Sequence, residues 1–336
     1  MNKNNILSSV NFKRKCDVIY SSYVSYEEYE EIENDNTLVL QKTNDYIFYK
    51  LKEYQIKNFD TIFCNNFTIK PLFKSISDNP NLENINLVTS QTDLSVTKEI
   101  FNKKPPSIVS WSSINVDFKH EILNPIPLGI GNSFQNKYIN IENVIDNLKS
   151  FKFDREPKIY LNFRENTNTL HRKNLKNIFK NYNWAYISDS DLSLSQYNHE
   201  ISNHSFTLAP WGNGIDTHRI WESLYSGSIP ITKYHYTLNT LKDLPVLFVN
   251  EYEDISQELL ETTLEYFKDS KFNFDKLNID YWFDKKTENH ENLNNIQESK
   301  FYNFTFKNSY QFGRYFESKK KIILYYLRKI IKLLKL

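Results

Sequence analysis

The segment Ser205 to Ile231, SFTLAPWGNGIDTHRIWESLYSGSIPI, gathers residue types that can hold an anion. Gly212, Asn213 and Gly214 form a turn after an apolar run, and Asp216, Thr217, His218, Arg219 and Glu222 follow where a helical pattern begins. A strand leading through a glycine turn into a helix exposes first-turn amides and the positive end of the helix dipole, a combination that binds phosphate. Asp216 is the expected N-cap. His218 and Arg219 then fall in the first turn, where a cation opposes the dipole by roughly 0.3–1 kcal/mol unless an anion compensates. A diphosphate would compensate, with Arg219 forking across its oxygens. Glu222, three residues on along the same face, would accept from ribose hydroxyls. The plainer alternative is a surface pair beside an ordinary loop. Only six glycines occur in 336 residues, and five fall in two stretches: Gly129 and Gly131 in IPLGIG, and Gly212, Gly214 and Gly227 here. Such clustering marks backbone that takes positive φ or comes close to something, which in the second stretch is expected to be a ligand.

Other candidates lie upstream. Arg164 and Arg172 follow the apolar run Lys158 to Phe163 and would add charge on the far side of a diphosphate, or else are solvated. Asp93 follows the run Ile85 to Val88 and is the candidate general base, or else a helix cap before Leu94. Asp189 and Asp191 form an Asp-Ser-Asp that suits either a metal or the start of the helix after Leu192. His199 and His204 stand five apart with no matching carboxylate motif, and no metal is assigned. Cys16 and Cys64 sit in apolar runs and read as reduced core residues.

These residues need a scaffold, and the sequence implies an α/β one. Apolar runs recur at Cys16 to Tyr20, Thr37 to Leu40, Thr61 to Cys64, Ile85 to Val88, Ile108 to Trp111 and Ile126 to Ile130. A second series follows at Lys158 to Phe163, Trp184 to Ser188, Ser205 to Ala209, Ser228 to Thr232 and Pro245 to Val249, with helical patterns at Arg172 to Tyr182, Leu192 to His204, Asp216 to Ser226 and Ile255 to Lys268. Buried strands alternating with helices predict two Rossmann-like domains facing across a cleft: residues 1–150, and 151–300 with the nucleotide, followed by a return segment at 301–336. Charge is uneven. Seven cations fall in the last eighteen residues, leaving 35 basic against 41 acidic residues in 1–318, which gives no footprint for nucleic acid. From Ile322 onward the pattern is a basic amphipathic helix, which would lie on an anionic membrane surface through residues 319–336 or pack on the protein. The N-terminus has no stretch of signal-peptide length, so a cytoplasmic protein, peripheral on the inner membrane face, is expected.

The string from Ser205 to Ile231 resembles the C-terminal signature of the exostosin-like glycosyltransferases: Pro-x-Gly-Asn-Gly-x-Asp-x-His-Arg, Trp-Glu, then Gly and Ile-Pro. It covers about a tenth of the chain tightly, with looser likeness in KIYLNF, in VTSQTD ending at Asp93, in SWSSIN and in IPLGIG. The resemblance implies a GT-B fold and an inverting transfer from a nucleotide sugar. The function expected on these grounds is transfer from a nucleotide-diphosphate sugar, without metal or cofactor, to a glycan or lipid-linked glycan in surface polysaccharide or lipopolysaccharide-type synthesis. By position it assigns the phosphate turn to Gly212, Asn213 and Gly214, the diphosphate contact to Arg219 and the ribose contact to Glu222. Trp211 departs from the arginine common in relatives, which puts one donor contact in doubt, and the membrane anchor of animal exostosins is not expected here. The alternatives are a noncatalytic glycan-binding or scaffold protein on the same fold, and a nucleotide-dependent transferase of something other than sugar.

Overall fold

The computed structural model describes residues 2–334 apart from 133, 135–138, 140, 148–150, 189–190 and 284–292, with the backbone alone at 145–147, 318 and 320–334. Two five-stranded sheets, each parallel throughout, form the framework. The first runs Val18–Ile19, Thr61–Asn65, Ile85–Ser90, Ile108–Ser113, Leu123–Pro125, in space as in sequence. All five residues of Thr61–Asn65 are buried, as a strand covered on both faces requires. The second sheet runs Ala185–Ile187, Ile159–Leu161, Phe206–Leu208, Ile229–Lys233, Leu247–Val249. Its winding therefore reverses between Ile159–Leu161 and Phe206–Leu208, and such a switch opens a crevice at the carboxyl ends of the two strands. This is the two-domain, GT-B-like α/β architecture that the alternating pattern implies.

Helices lock onto the second sheet through local signals. Leu194–Asn203 begins in a reciprocal Ser193–Gln196 capping box, and Gln257–Lys268 begins with Ser256 accepting from the Leu259 amide. His218–Tyr225 buries Ile220, Trp221 and Leu224 and packs against Ile229–Lys233. An apolar cluster joins the domains, with Leu7, Phe12, Val88, Ile114 and Ile130 of the first meeting Tyr160, Ala209, Trp221 and Tyr225 of the second. The cleft thus has a solid floor.

Several expectations shift. Thr37–Lys42 belongs to a separate antiparallel sheet with Ile47–Leu51 and Ser21–Val24, not to the parallel one. The strand near IPLGIG is Leu123–Pro125, and Ile130 makes only an isolated bridge to Ser8. The helix expected over Arg172 to Tyr182 is two short ones, Thr169–Arg172 and Leu175–Phe179, separated by Asn174 at φ 64°. Cys64 is buried, its thiol pushed up to about 12 by burial, while Cys16 is half-buried before the first strand; neither forms a disulfide.

The return to the first domain starts earlier than residue 301. Leu293–Gln297 pairs antiparallel with Glu53–Lys57, and the helix Lys300–Leu334 then runs beside Thr37–Lys42. Apart from Lys319, which is exposed, the side chains of the basic segment 319–336 lie outside the described residues, so its expected face is not seen. No described helix is long and apolar enough to cross a membrane.

Candidate functional site

A cleft of about 870 Å³ opens between the domains, toward the upper end of the roughly 300–1,000 Å³ typical of small-molecule sites. Strand ends supply its walls. The loop after Ile159–Leu161 brings Asn162, Phe163 and Arg164, the loop after Phe206–Leu208 brings Gly212 to Gly214, and the loop after Ile85–Ser90 brings Gln91, Thr92 and Asp93 from the other domain. Asp93, Arg164, Arg172, Gly212, Asn213, Gly214, Asp216, Thr217, His218, Arg219 and Glu222 all line this one space. The switch point and the candidate residues therefore coincide.

The turn is held by protein groups. The Gly212 amide donates to the Gly214 carbonyl at 2.9 Å, and Asn168 Nδ2 donates to the Gly212 carbonyl at 2.6 Å. Arg172 is 6% exposed; its Nε donates to Trp211 O at 2.8 Å and its Nη2 to Pro210 O at 2.9 Å. Arg172 thus braces the turn, and its charge is directed mainly at backbone carbonyls instead of at the far side of a ligand. A Cβ on Gly214 would lie 2.7 Å from Asn115 Nδ2, and one on Gly212 3.0 Å from Arg172 Nη2. The close approach expected of a ligand is made by Asn115 and Arg172. Positive φ occurs instead at Gly129 and Gly227, 73° and 69°. Asn115 Oδ1 accepts from the Ile215 and Asp216 amides, both at 3.0 Å, tying the first domain to the turn.

Asp216 is not the N-cap. The helix starts at His218 with Thr217 in the cap position, making no side-chain cap bond. Asp216, 3% exposed, accepts from the Leu128 amide and from Trp221 Nε1, each at 2.8 Å, which makes it a second bridge between domains. Burial pushes its carboxyl up to about 7, against the pull of those donors. A third bridge is His218, whose Nδ1 donates to the Gly129 carbonyl at 2.8 Å.

At the helix mouth, two polar atoms are buried without a hydrogen-bond partner: Thr217 Oγ1 and Arg219 Nε. The first-turn amides of any helix also lack partners within it. Arg219 lies over the Tyr197 ring, 5.7 Å from its centroid. Desolvation lowers its pKa, but Tyr197 and Glu222 outweigh that and raise it, so the guanidinium is charged. Among the described residues no carboxylate comes within ion-pair distance of it. Glu222 is 2% exposed; its Oε2 accepts from Tyr197 Oη at 2.7 Å and its Oε1 from the Ile139 amide at 3.2 Å. A ribose hydroxyl would share oxygens that are already engaged.

Arg164 and Asp191 are exposed and pair at 3.2 Å on the rim. Ser193, not the Asp-Ser-Asp, caps the following helix; residues 189–190 lie outside the described residues, among which no group of three His, Cys, Asp or Glu could hold a metal. Asp93 is exposed on the opposite lip and caps nothing, since Thr97 caps the next helix. Trp211 packs against His171 and His235, with ring centroids 4.8 and 5.7 Å away. Sequence reasoning missed Asn115 and Tyr197. Asn115 stands inside the SWSSIN stretch, yet nothing local marks its contact a hundred residues away, and Tyr197 is an ordinary inward aromatic by spacing.

No family model matches the sequence, and no curated protein does. Among solved structures, a crystal structure of an α1,3-fucosyltransferase is similar at a TM-score of 0.31 and 16% identity, over 62% of this chain and 66% of that one. The chain thus spans just under two thirds of that structure's length. At that similarity nothing about chemistry follows.

Proposed function

We propose that this chain is a glycosyltransferase using a nucleotide-diphosphate sugar. The observation that carries it is the helix mouth at the topological switch: Arg219 Nε and Thr217 Oγ1 are buried without a hydrogen-bond partner, no carboxylate among the described residues comes within ion-pair distance of Arg219, and both residues line a cleft of about 870 Å³. Buried polar atoms without partners call for an explanation, and a diphosphate against first-turn amides and a forked guanidinium supplies one.

In this reading the acceptor hydroxyl passes its proton to Asp93 across the cleft. Its oxygen bonds to the anomeric carbon from the face opposite the diphosphate, the bond to the leaving oxygen breaks, and the electron pair departs on the nucleoside diphosphate. Arg219 and the helix amides stabilise that charge without metal, and inversion follows from the single displacement. The exostosin-like kinship, a glycan acceptor of surface polysaccharide type, and attachment to an anionic membrane face through residues 319–336 belong to the same proposal.

A thermal-shift screen against UDP, GDP, CMP and dTDP sugars tests it. One donor is expected to raise the melting temperature, and Arg219→Ala to weaken it by about 1.5–3 kcal/mol, ten- to over a hundredfold, the range for a hydrogen bond to a charged group. Arg219→Lys restores charge but not the fork, and recovers only part. No response to any nucleotide, or an Arg219→Ala protein that binds as wild type does, sinks the proposal.

A further inference from the structure

The cleft has two unlike walls. The helix mouth and the turn are polar and cationic, while the first domain presents Tyr23, Tyr46 and Phe134. Tyr23 meets Tyr46 edge-on at 4.9 Å, Tyr46 meets Phe134 at 6.0 Å, and Phe48 stacks on Tyr23 at 4.4 Å. Tyr23 and Tyr46 are half-buried, with the latter in the turn between Thr37–Lys42 and Ile47–Leu51.

The placement of this wall is built. Gln91 sits at φ 62°, a conformation that disfavours a side chain. Its Oε1 accepts from the Tyr23 amide at 2.8 Å and its Nε2 donates to the Tyr23 carbonyl at 3.2 Å, pairing with that residue as a neighbouring strand would. Asn65 Nδ2 in turn donates to the Gln91 carbonyl at 3.1 Å. Two residues beyond Gln91 is Asp93, exposed in the same cleft. One strained loop thus fixes the Tyr23 backbone and carries the Asp93 carboxylate.

A pyranose ring has an apolar C–H face rimmed by hydroxyls. Aromatic side chains with a polar tip suit such a ligand, since the ring covers the apolar face and the phenol meets the rim. We propose that Tyr46, seated edge-on against Tyr23, forms the contact face of an acceptor subsite for a pyranose unit, with Gln91 as the positioning residue that registers the supporting Tyr23 against Asp93. The subsite rests on the donor reading of the facing wall, and names what binds opposite the diphosphate.

The test uses the full chain on a printed array of reducing-end-linked oligosaccharides, with UDP or GDP present, beside nucleotide thermal shifts on the same proteins. Wild type is retained on a subset of glycans. Tyr46→Ala, at a turn where folding tolerates change, lowers that retention by about tenfold, and Tyr46→Trp keeps it within about threefold. Gln91→Gly, which suits the backbone but removes the clamp, also lowers retention, while all three variants keep the wild-type nucleotide shift. Three results would overturn the subsite: retention of no glycan by wild type, equal retention by Tyr46→Ala, or loss of the nucleotide shift in Tyr46→Ala, which would place the nucleobase on this wall. Glycan retention that depends on Tyr46 with no nucleotide shift in any protein would instead strike the donor reading and leave the aromatic site standing.

Discussion

Asp216 places an ionisable carboxyl where a negative charge is costly. It is 3% exposed, and desolvation lifts its carboxyl to about 7 although Leu128, Trp221 and Thr217 all donate to it. A pKa raised on folding gives a stability contribution that is fully present below the unfolded value near 4 and lost as pH rises through about 7. Asp216→Asn is uncharged throughout that range. The stability difference between wild type and the variant should therefore fall with rising pH across this window, by up to about 1.4 kcal/mol per unit. Urea unfolding at several pH values reads it. Midpoints that run parallel between pH 4 and 8 would show that the site is wetter than its burial implies. Asn keeps only one acceptor for the donors, so a constant offset on top of the trend is expected.

Among the elements, most of the parallel strands of both domains are legible because each is a short apolar run between turn signals; the edge strand Leu123–Pro125 is not, since only Leu123 of its three residues is buried and the apolar run lies just beyond it. The hairpin strands Ser21–Val24 and Ile47–Leu51 are not, since their apolar character does not say which sheet they join. The helix break at Asn174 is hidden for a similar reason: an isolated asparagine is compatible with a helix, and only the φ of 64° sets it apart. Of the site, the candidate anion-binding residues are readable as a local string. The braces were not, because Asn115 and Arg172 reach the turn across long sequence separations. The longest helix, Lys300–Leu334, spans 35 residues, about 50 Å at 1.5 Å per residue. Its C-terminal half carries the basic run, each cation contributing about 1 kcal/mol beside an anionic leaflet. The full chain is thus expected to pellet with phosphatidylglycerol vesicles at low salt and to be released at high salt, while a chain ended after Glu317 stays in the supernatant. Equal pelleting of both would rule out the tail as an anchor.

At the scale of the whole molecule, the chain's return ties the C-terminal helix to the wall of the cleft. Lys50, 0% exposed, pairs with Glu298, whose Oε1 also accepts from Tyr20 Oη at 2.6 Å. Glu298 directly follows the strand Leu293–Gln297, so this buried charge pair forms only when the return segment is docked. Beyond it, Tyr310 packs on Phe48, with ring centroids 5.5 Å apart, and donates to Gln41 at 3.2 Å, backing the Tyr23 ring from behind. Burial lowers the Lys50 pKa while Glu298 raises it back, leaving desolvation the larger influence. Removing one partner strands the other charge, so Glu298→Gln should destabilise the fold by about 3–5 kcal/mol, whereas replacing both with apolar residues in Lys50→Met with Glu298→Leu should cost only about 1–3 kcal/mol, from leaving Tyr20 Oη without an acceptor. Chemical denaturation of the two proteins decides. Glu298→Gln keeps an oxygen that can accept from Tyr20 Oη, whereas the double variant does not: a double variant less stable than Glu298→Gln would show that the hydrogen bond from Tyr20, more than the charge pair, fastens the return segment to the first domain.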